Sequence, residues 1–147
     1  MLQEDDLGAL VGYRLKQAQS VLRARMDETL RELGLSTPQY ICLELLSRQP
    51  GASNSDLARG AFVTRQTMNT LLRGLQRRGL IERAEQAATG RVLPTKLTES
   101  GRQLLDLADE SVQQIENRTI SLLDAEKARA LHEALGLCIE ALSEPNA

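Results

Sequence analysis

Leu7, Leu10, Val11, Leu15, Ala18, Leu22, Met26, Leu30 and Leu33 recur at steps of three and four residues. That spacing predicts one long amphipathic helix ending at Gly34, since glycine readily adopts the left-handed conformation that closes a helix. At 1.5 Å per residue such a helix is about 40 Å long. It cannot cover its own apolar stripe, so it requires a partner surface. Thr37-Pro38 opens a second helix, with Thr37 expected as N-cap and Pro38 at the first helical position. Its apolar positions are Tyr40, Ile41, Leu43, Leu45 and Leu46, and the stretch QPGAS stops it.

Ser53-Asn54-Ser55-Asp56 reads as a capping-box variant for a short helix to about Arg59. The segment GAF makes a tight turn, Thr64 caps the following helix to Arg78, and Gly79 ends it. Two short helices joined by a glycine-containing turn form a helix-turn-helix pattern. From Leu80 the period changes to two: Ile81, Arg83 and Glu85, then Leu93, Thr95 and Leu97 beyond QAATG. Two strands around a glycine-containing loop predict a hairpin. Pro94 has no N–H for a ladder, so its strand is an edge. A hairpin directly after a helix-turn-helix is a wing. Thr98-Glu99 then caps a long helix through Leu104, Leu105, Ala108, Val112 and Ile115 to about Arg118. Asp124 caps the last helix, whose stripe is Ala128, Leu131, Leu135, Cys138 and Leu142, with Gly136 as its weak point. The expected fold is mainly α, a winged helix-turn-helix with long N- and C-terminal helices and a two-stranded wing. Its parts are an N-terminal helix over 1–36, the winged lobe over 37–98 and the C-terminal helices over 99–147.

The outward side of the Thr64–Arg78 helix changes this picture from architecture to chemistry. At about 100° per residue, Met68, Leu71, Leu72 and Leu75 cluster on one side. Gln66, Asn69, Thr70, Arg73 and Arg77 fall opposite, and no Asp or Glu occurs from Phe62 to Ile81. Arg forks onto guanine, and Gln or Asn pairs with adenine, so this row can read base edges. Loss of every acid suits a surface that approaches phosphates. The charge distribution agrees. The chain carries a net charge of −2, but residues 59–102 hold nine positives and three negatives, or +6, leaving −8 for the remainder. A basic middle between acidic ends suggests a polyanion-binding centre.

Composition removes other classes. The 147 residues suit one domain with helical extensions. The three aromatics are Tyr13, Tyr40 and Phe62, so the core must be aliphatic. The longest uncharged run, Leu33 to Leu43, is eleven residues, against roughly twenty for a membrane span. The N-terminus, MLQEDDLGAL, lacks the order of a signal peptide, which points to a cytoplasmic protein. Cys42 and Cys138 are far apart, outside any CxxC, and His132 is the single histidine, so neither metal nor cofactor is expected. No nucleophile elbow or phosphate-cradling glycine loop is present, which argues against an enzyme.

The segments Thr37-Pro38-Gln39-Tyr40, SDLA from Ser55, FVTRQTMNTLLRGLQRRGLIER and GRVLPTKLTESG together resemble the MarR family of winged helix-turn-helix regulators, over roughly Leu7 to Leu142. The resemblance implies a homodimer in which the first and last helices of two chains intertwine. It implies recognition helices in successive major grooves of a pseudo-palindromic operator. The DNA-binding residues expected are Ser53, Ser55, Thr64, Arg65, Gln66, Thr67, Asn69, Thr70, Arg73, Arg77, Arg91 and Lys96. Arg91 matches the wing-tip arginine placed in the minor groove, and Ser53 and Ser55 sit at a helix N-terminus suited to phosphate. Thr89 departs from the acidic residue that the family commonly has two positions before that arginine. The resemblance also implies a repressor released by a small aromatic acid, for which Tyr13, Arg14 and Tyr40 are the candidate pocket. The alternatives are a redox-sensing regulator acting through Cys42 and a helical protein-interaction module that does not bind DNA.

Overall fold

The structure is a computed structural model that describes residues 4–83 and 95–145. The elements are α1 (Glu4–Leu7), α2 (Val11–Arg31), α3 (Thr37–Arg48), α4 (Asn54–Ala61), α5 (Arg65–Arg77), β1 (Ile81–Arg83), β2 (Thr95–Leu97), α6 (Glu99–Thr119) and α7 (Ala125–Ser143). Two compact units divide the chain, Met1–Val112 and Gln113–Ala147. The first holds the helix-turn-helix and the described part of the hairpin, and the second holds the end of α6 and all of α7.

The long N-terminal helix expected from periodicity is two helices. Leu10 is extended (φ −83°, ψ 129°), and a turn joins Ala9 N–H to the Asp6 carbonyl. Leu7 and Leu10 keep a three-residue spacing across this break, so hydrophobic periodicity alone cannot register it. The expected end holds: Gly34 has φ 72°. Leu35 N–H then returns to the Leu30 carbonyl at 3.0 Å.

The N-cap of α3 is Ser36, not Thr37. The Ser36 hydroxyl accepts from Gln39 N–H while the Gln39 side chain accepts from Ser36 N–H, a full capping box. Thr37 is released to donate from Oγ1 to Asp27 Oδ1 at 2.5 Å. That bond ties α3 to α2 and, with Arg23 nearby, holds the Asp27 carboxyl below its usual range. The other expected caps are in place: Ser53 for α4, Thr64 for α5, Thr98 for α6 and Asp124 for α7.

The core of the first unit gathers Leu30 and Leu35, then Tyr40, Cys42, Leu43 and Leu46 of α3. Leu57, Ala58 and Ala61 of α4, Met68, Leu72 and Leu75 of α5, Leu80, Ile81, Leu105 and Ala108 complete it. The α5 stripe is buried as the sequence predicts, with Leu71 half-buried beside it. β1 and β2 are antiparallel, pairing Ile81 with Leu97, Glu82 with Lys96 and Arg83 with Thr95. In contrast to this core, α2 buries only Leu30, and Val11, Tyr13, Val21 and Leu22 are exposed. Within the second unit α7 has no buried residue, and Leu131, Leu137, Ile139 and Leu142 are exposed.

The start of α6 is locked onto the end of α5. Thr98 N–H donates to the Leu80 carbonyl at 3.1 Å, and its hydroxyl donates to the Gly79 carbonyl at 2.6 Å. The same hydroxyl accepts from Gly101 N–H at 3.0 Å. This crowding explains the glycine of LTESG, because a Cβ at Gly101 would overlap the Leu80 carbonyl oxygen. Backbone cannot move aside as a side chain can. We expect Gly101→Ala to destabilise the fold by about 2–3 kcal/mol, read as a lowered thermal midpoint; an unchanged midpoint would remove this packing constraint.

Candidate nucleic-acid interface

Helix α5 begins at a cap built for it. The Thr64 hydroxyl accepts from Thr67 N–H at 3.1 Å and donates to the Thr67 hydroxyl at 3.0 Å. With Met68, Leu72 and Leu75 buried, rotation of the helix is set, and Arg65, Gln66, Thr67, Thr70, Arg73 and Arg77 are exposed. Thr70 also donates its hydroxyl back to the Gln66 carbonyl, which leaves the oxygen's lone pairs and the methyl for an outside partner.

The arginines of this region divide into two groups. Arg59 pairs with Asp56, Arg78 donates to the Gly34 carbonyl at 2.7 Å, and Arg102 donates to the Ser47 hydroxyl at 2.8 Å. Arg83 is also committed to the protein. By contrast, Arg65, Arg73, Arg77 and Lys96 make no ion pair or side-chain hydrogen bond among the described residues, Lys96 standing across the ladder from Glu82. Three of these four cations lie on α5. A solvated face of mixed sign would have neutralised some of them; this one concentrates free guanidiniums beside exposed hydroxyls and an amide.

One expected contact changes role. Asn69 is half-buried rather than outward, because the Asn54 amide donates to its Oδ1. Arg83 in turn donates from Nη2 to Asn54 Oδ1 at 2.8 Å and from Nε to Thr95 Oγ1 at 3.2 Å. Thr95 is buried, so the guanidinium satisfies a hydroxyl that would otherwise lack a partner. A chain of polar contacts therefore runs from α5 through α4 to both strands at the hairpin base. Sequence reading passed over Asn54 and Arg83, whose spacing of 29 residues carries no local signal.

At the start of α4, Ser53 accepts from Asp56 N–H at 3.1 Å, and Asp56 completes the capping box. These bonds hold the Asp56 carboxyl below its usual range. The helix end is thus occupied by its own anion, which works against a phosphate at Ser53; Ser55 is half-buried behind it. Thr89 and the wing residue Arg91 lie outside the described residues.

The proposed ligand residues do not share a setting. Tyr13 is exposed, and Arg14 is exposed and donates to Gln17 at 3.0 Å. Tyr40 is a core residue whose hydroxyl donates to Asp109 Oδ1 at 2.7 Å, which fixes α3 against α6. Burial and the Asp109 carboxylate raise its pKa far above the ordinary tyrosine value. A concavity of about 360 Å³ lies elsewhere, lined by Arg23, Asp27, Arg31, Gly34, Leu35, Ser36 and Pro38. Cys42 is fully buried, and burial pushes its thiol up to about 12, so it stays a protonated, inert thiol at neutral pH. Among the described residues no cluster of His, Cys, Asp and Glu could hold a metal, and no helix is long and apolar enough to cross a membrane.

A two-helix motif with a free cationic outer face, followed by paired strands, defines a winged helix-turn-helix DNA-binding protein. Residues 33–92 match the MarR family profile. A Mycobacterium tuberculosis HTH-type transcriptional repressor, Rv2887, is 39% identical over 127 residues, 86% of this chain and 91% of the relative. Rv2887 solved with salicylic acid superposes at a TM-score of 0.72, with 38% identity, covering 88% of this chain and 96% of that one. Rv2887 solved with DNA gives 0.71, with 36% identity over 92% of this chain and 98% of that one. The chain belongs to the MarR family of transcriptional regulators.

Two outcomes follow from this geometry. Arg83→Ala and Asn54→Ala should couple by about 1 kcal/mol in a double-mutant cycle of urea unfolding; strictly additive effects would show that the contact is not made. The second concerns Glu44, which Arg48 pairs at 2.9 Å while its Oε2 is buried with no hydrogen-bond partner among the described residues. Burial, with Asp109 beside it, raises its pKa above the ordinary carboxylate value. A raised folded-state value means that this group's contribution is present at low pH and lost as pH rises through that value. Glu44→Gln should therefore raise the thermal midpoint at pH 7, with the gain shrinking on acidification toward pH 4.5. A gain independent of pH would refute this origin.

Proposed function

We propose that the protein is a homodimeric repressor that holds a pseudo-palindromic operator through two copies of α5 and is released by a small aromatic carboxylic acid. The observation that carries this reading is the α5 face: free Arg65, Arg73 and Arg77 with Gln66, Thr67 and Thr70, opposite a stripe fully buried in the core. Arg73 and Gln66 are the candidate base readers, while Arg65, Arg77 and Lys96 neutralise phosphates. Arg91 is assigned to the minor groove at the wing tip. The exposed apolar residues of α2 and those of α7 are assigned to the second copy, since each helix carries more apolar surface than its own unit covers. A cytoplasmic location accords with this role.

The effector reading draws on Rv2887, which was solved with salicylic acid. Tyr40 is committed to Asp109, so a carboxylate partner is sought among Arg14 and the two guanidiniums of the concavity, Arg23 and Arg31. The concavity's volume is within the range that holds a single-ring ligand.

These assignments are tested by anisotropy of a labelled duplex selected from a random pool by the purified protein. Binding should weaken steeply with salt, and Arg73→Ala should cost roughly 1–3 kcal/mol with specificity relaxed at one base pair per half-site. Salicylate should lower affinity in the wild type and fail to do so in either Arg14→Ala or Arg31→Ala. Salt-independent binding, or a duplex held equally by Arg73→Ala, would overturn the DNA assignment. A monomer by sedimentation would overturn the dimer.

A further inference from the structure

Phe62 stands where the fold asks for glycine. It closes α4 in the left-handed conformation (φ 60°, ψ 40°), the sole non-glycine with positive φ among the described residues. Its N–H donates to the Ala58 and Arg59 carbonyls, and Val63 N–H reaches the Ala58 carbonyl at 3.0 Å. That is the helix-ending motif in which a left-handed residue, ordinarily glycine, is followed by an apolar one. Val63 supplies the apolar contact by packing against the core. The Phe62 ring supplies none: the residue is 89% exposed.

Neither closure nor packing accounts for a phenylalanine here. Glycine would make the same bonds without Cβ strain and without a ring in water. Strain held at an exposed aromatic directs attention to what the ring meets.

Its position narrows the partner. Phe62 lies two residues before the Thr64 cap and three before Arg65, at the end of α5 that recognition helices present to base edges. It is also isolated. Between Arg31 and Asp106 it is the one exposed large hydrophobic residue among those described, so it is separate in sequence from the apolar residues of α2 and α7. Exposed neighbours in the chain are Arg59, Thr64 and Arg65. A protein partner needs a contiguous apolar patch with a desolvated core. A lone ring beside free guanidiniums suits the groove of a duplex, where phenylalanine contacts thymine methyls.

We propose that Phe62 is an operator-contacting residue, its ring set by the left-handed turn against an apolar DNA edge, a thymine methyl or a deoxyribose, next to the first turn of α5. This rests on the assignment of α5 to DNA. Contact of this kind adds affinity without neutralising a phosphate, and it is purchased at the expense of backbone strain.

The test compares Phe62→Gly and Phe62→Leu with the wild-type protein on the selected duplex. Phe62→Gly should keep or raise the thermal midpoint, because glycine accepts φ 60°, yet lose affinity about ten-fold, the worth of roughly 50 Å² of apolar contact. The salt slope should stay unchanged, and Phe62→Leu should recover part of the loss. Replacing thymines by uracils, which removes only the methyl, identifies the edge. A loss in wild type that is absent in Phe62→Gly assigns the methyl, and equal behaviour on both duplexes assigns the sugar. Wild-type affinity in Phe62→Gly, or a loss accompanied by a reduced salt slope, overturns the proposal. Wild-type affinity in Phe62→Gly while Gln66→Ala and Arg73→Ala lose binding overturns this contact alone. Undiminished binding in all three removes the DNA role of α5 as well.

Discussion

Burial of Met68, Leu72 and Leu75 is the constraint on which the rest of the molecule depends. Each is fully covered, and each contributes on the order of 2 kcal/mol as an upper estimate for removing its side chain from water. Rotating α5 by one residue, about 100°, so that Asn69, Arg73 and Gln76 took their places would expose these three and bring a guanidinium toward the core. Burying an unpaired charge costs more than any contact on the outer face could return. The identity of the outward residues is therefore dictated from inside. The reading face of the helix is what the core leaves over.

The same region shows why arginine count is a poor guide to arginine function. Arg78 caps the Gly34 turn, Arg83 satisfies buried Thr95 and reaches Asn54, and Arg102 bonds Ser47. These guanidiniums tie the end of α5 to the turn after α2, β1 to α4 and β2, and α6 to α3. Arg65, Arg73 and Arg77 are free to meet an external anion. The planar fork of arginine serves both purposes because it makes several directed hydrogen bonds without losing its charge. A lysine at position 83 could not span Thr95 and Asn54 with separate donors in the same fixed plane.

Polar commitments also decide against two otherwise attractive roles. Cys42 carries the reactive group required of a redox sensor, but its burial keeps the thiol protonated. Tyr40 has the ring required of a pocket wall, but its hydroxyl is spent on Asp109 between α3 and α6. In both cases the residue type suggested chemistry and the surroundings removed it. Burial acts in the same direction at Glu44, where a carboxyl is retained in a place that disfavours its charge.

Much of this protein was legible in the order of its residues. The caps at Ser53, Thr64, Thr98 and Asp124, the glycine stops and the three- and four-residue stripe of α5 are local signals, each satisfied within one helical turn of itself. Family membership, too, rests on motifs short enough to read directly. The sequence misled where two local solutions compete. Ser36 and Thr37 both suit a cap, and Asp27, ten residues away, takes Thr37 for itself. Likewise Leu7 and Leu10 keep helical spacing across an extended Leu10. What only the tertiary structure decided was partnership over long separations: Arg83 with Asn54, Tyr40 with Asp109, Gly101 against the Leu80 carbonyl. Hydrogen bonds and excluded volume act through space, at a few ångströms, and chain order carries no record of which distant groups folding will bring that close.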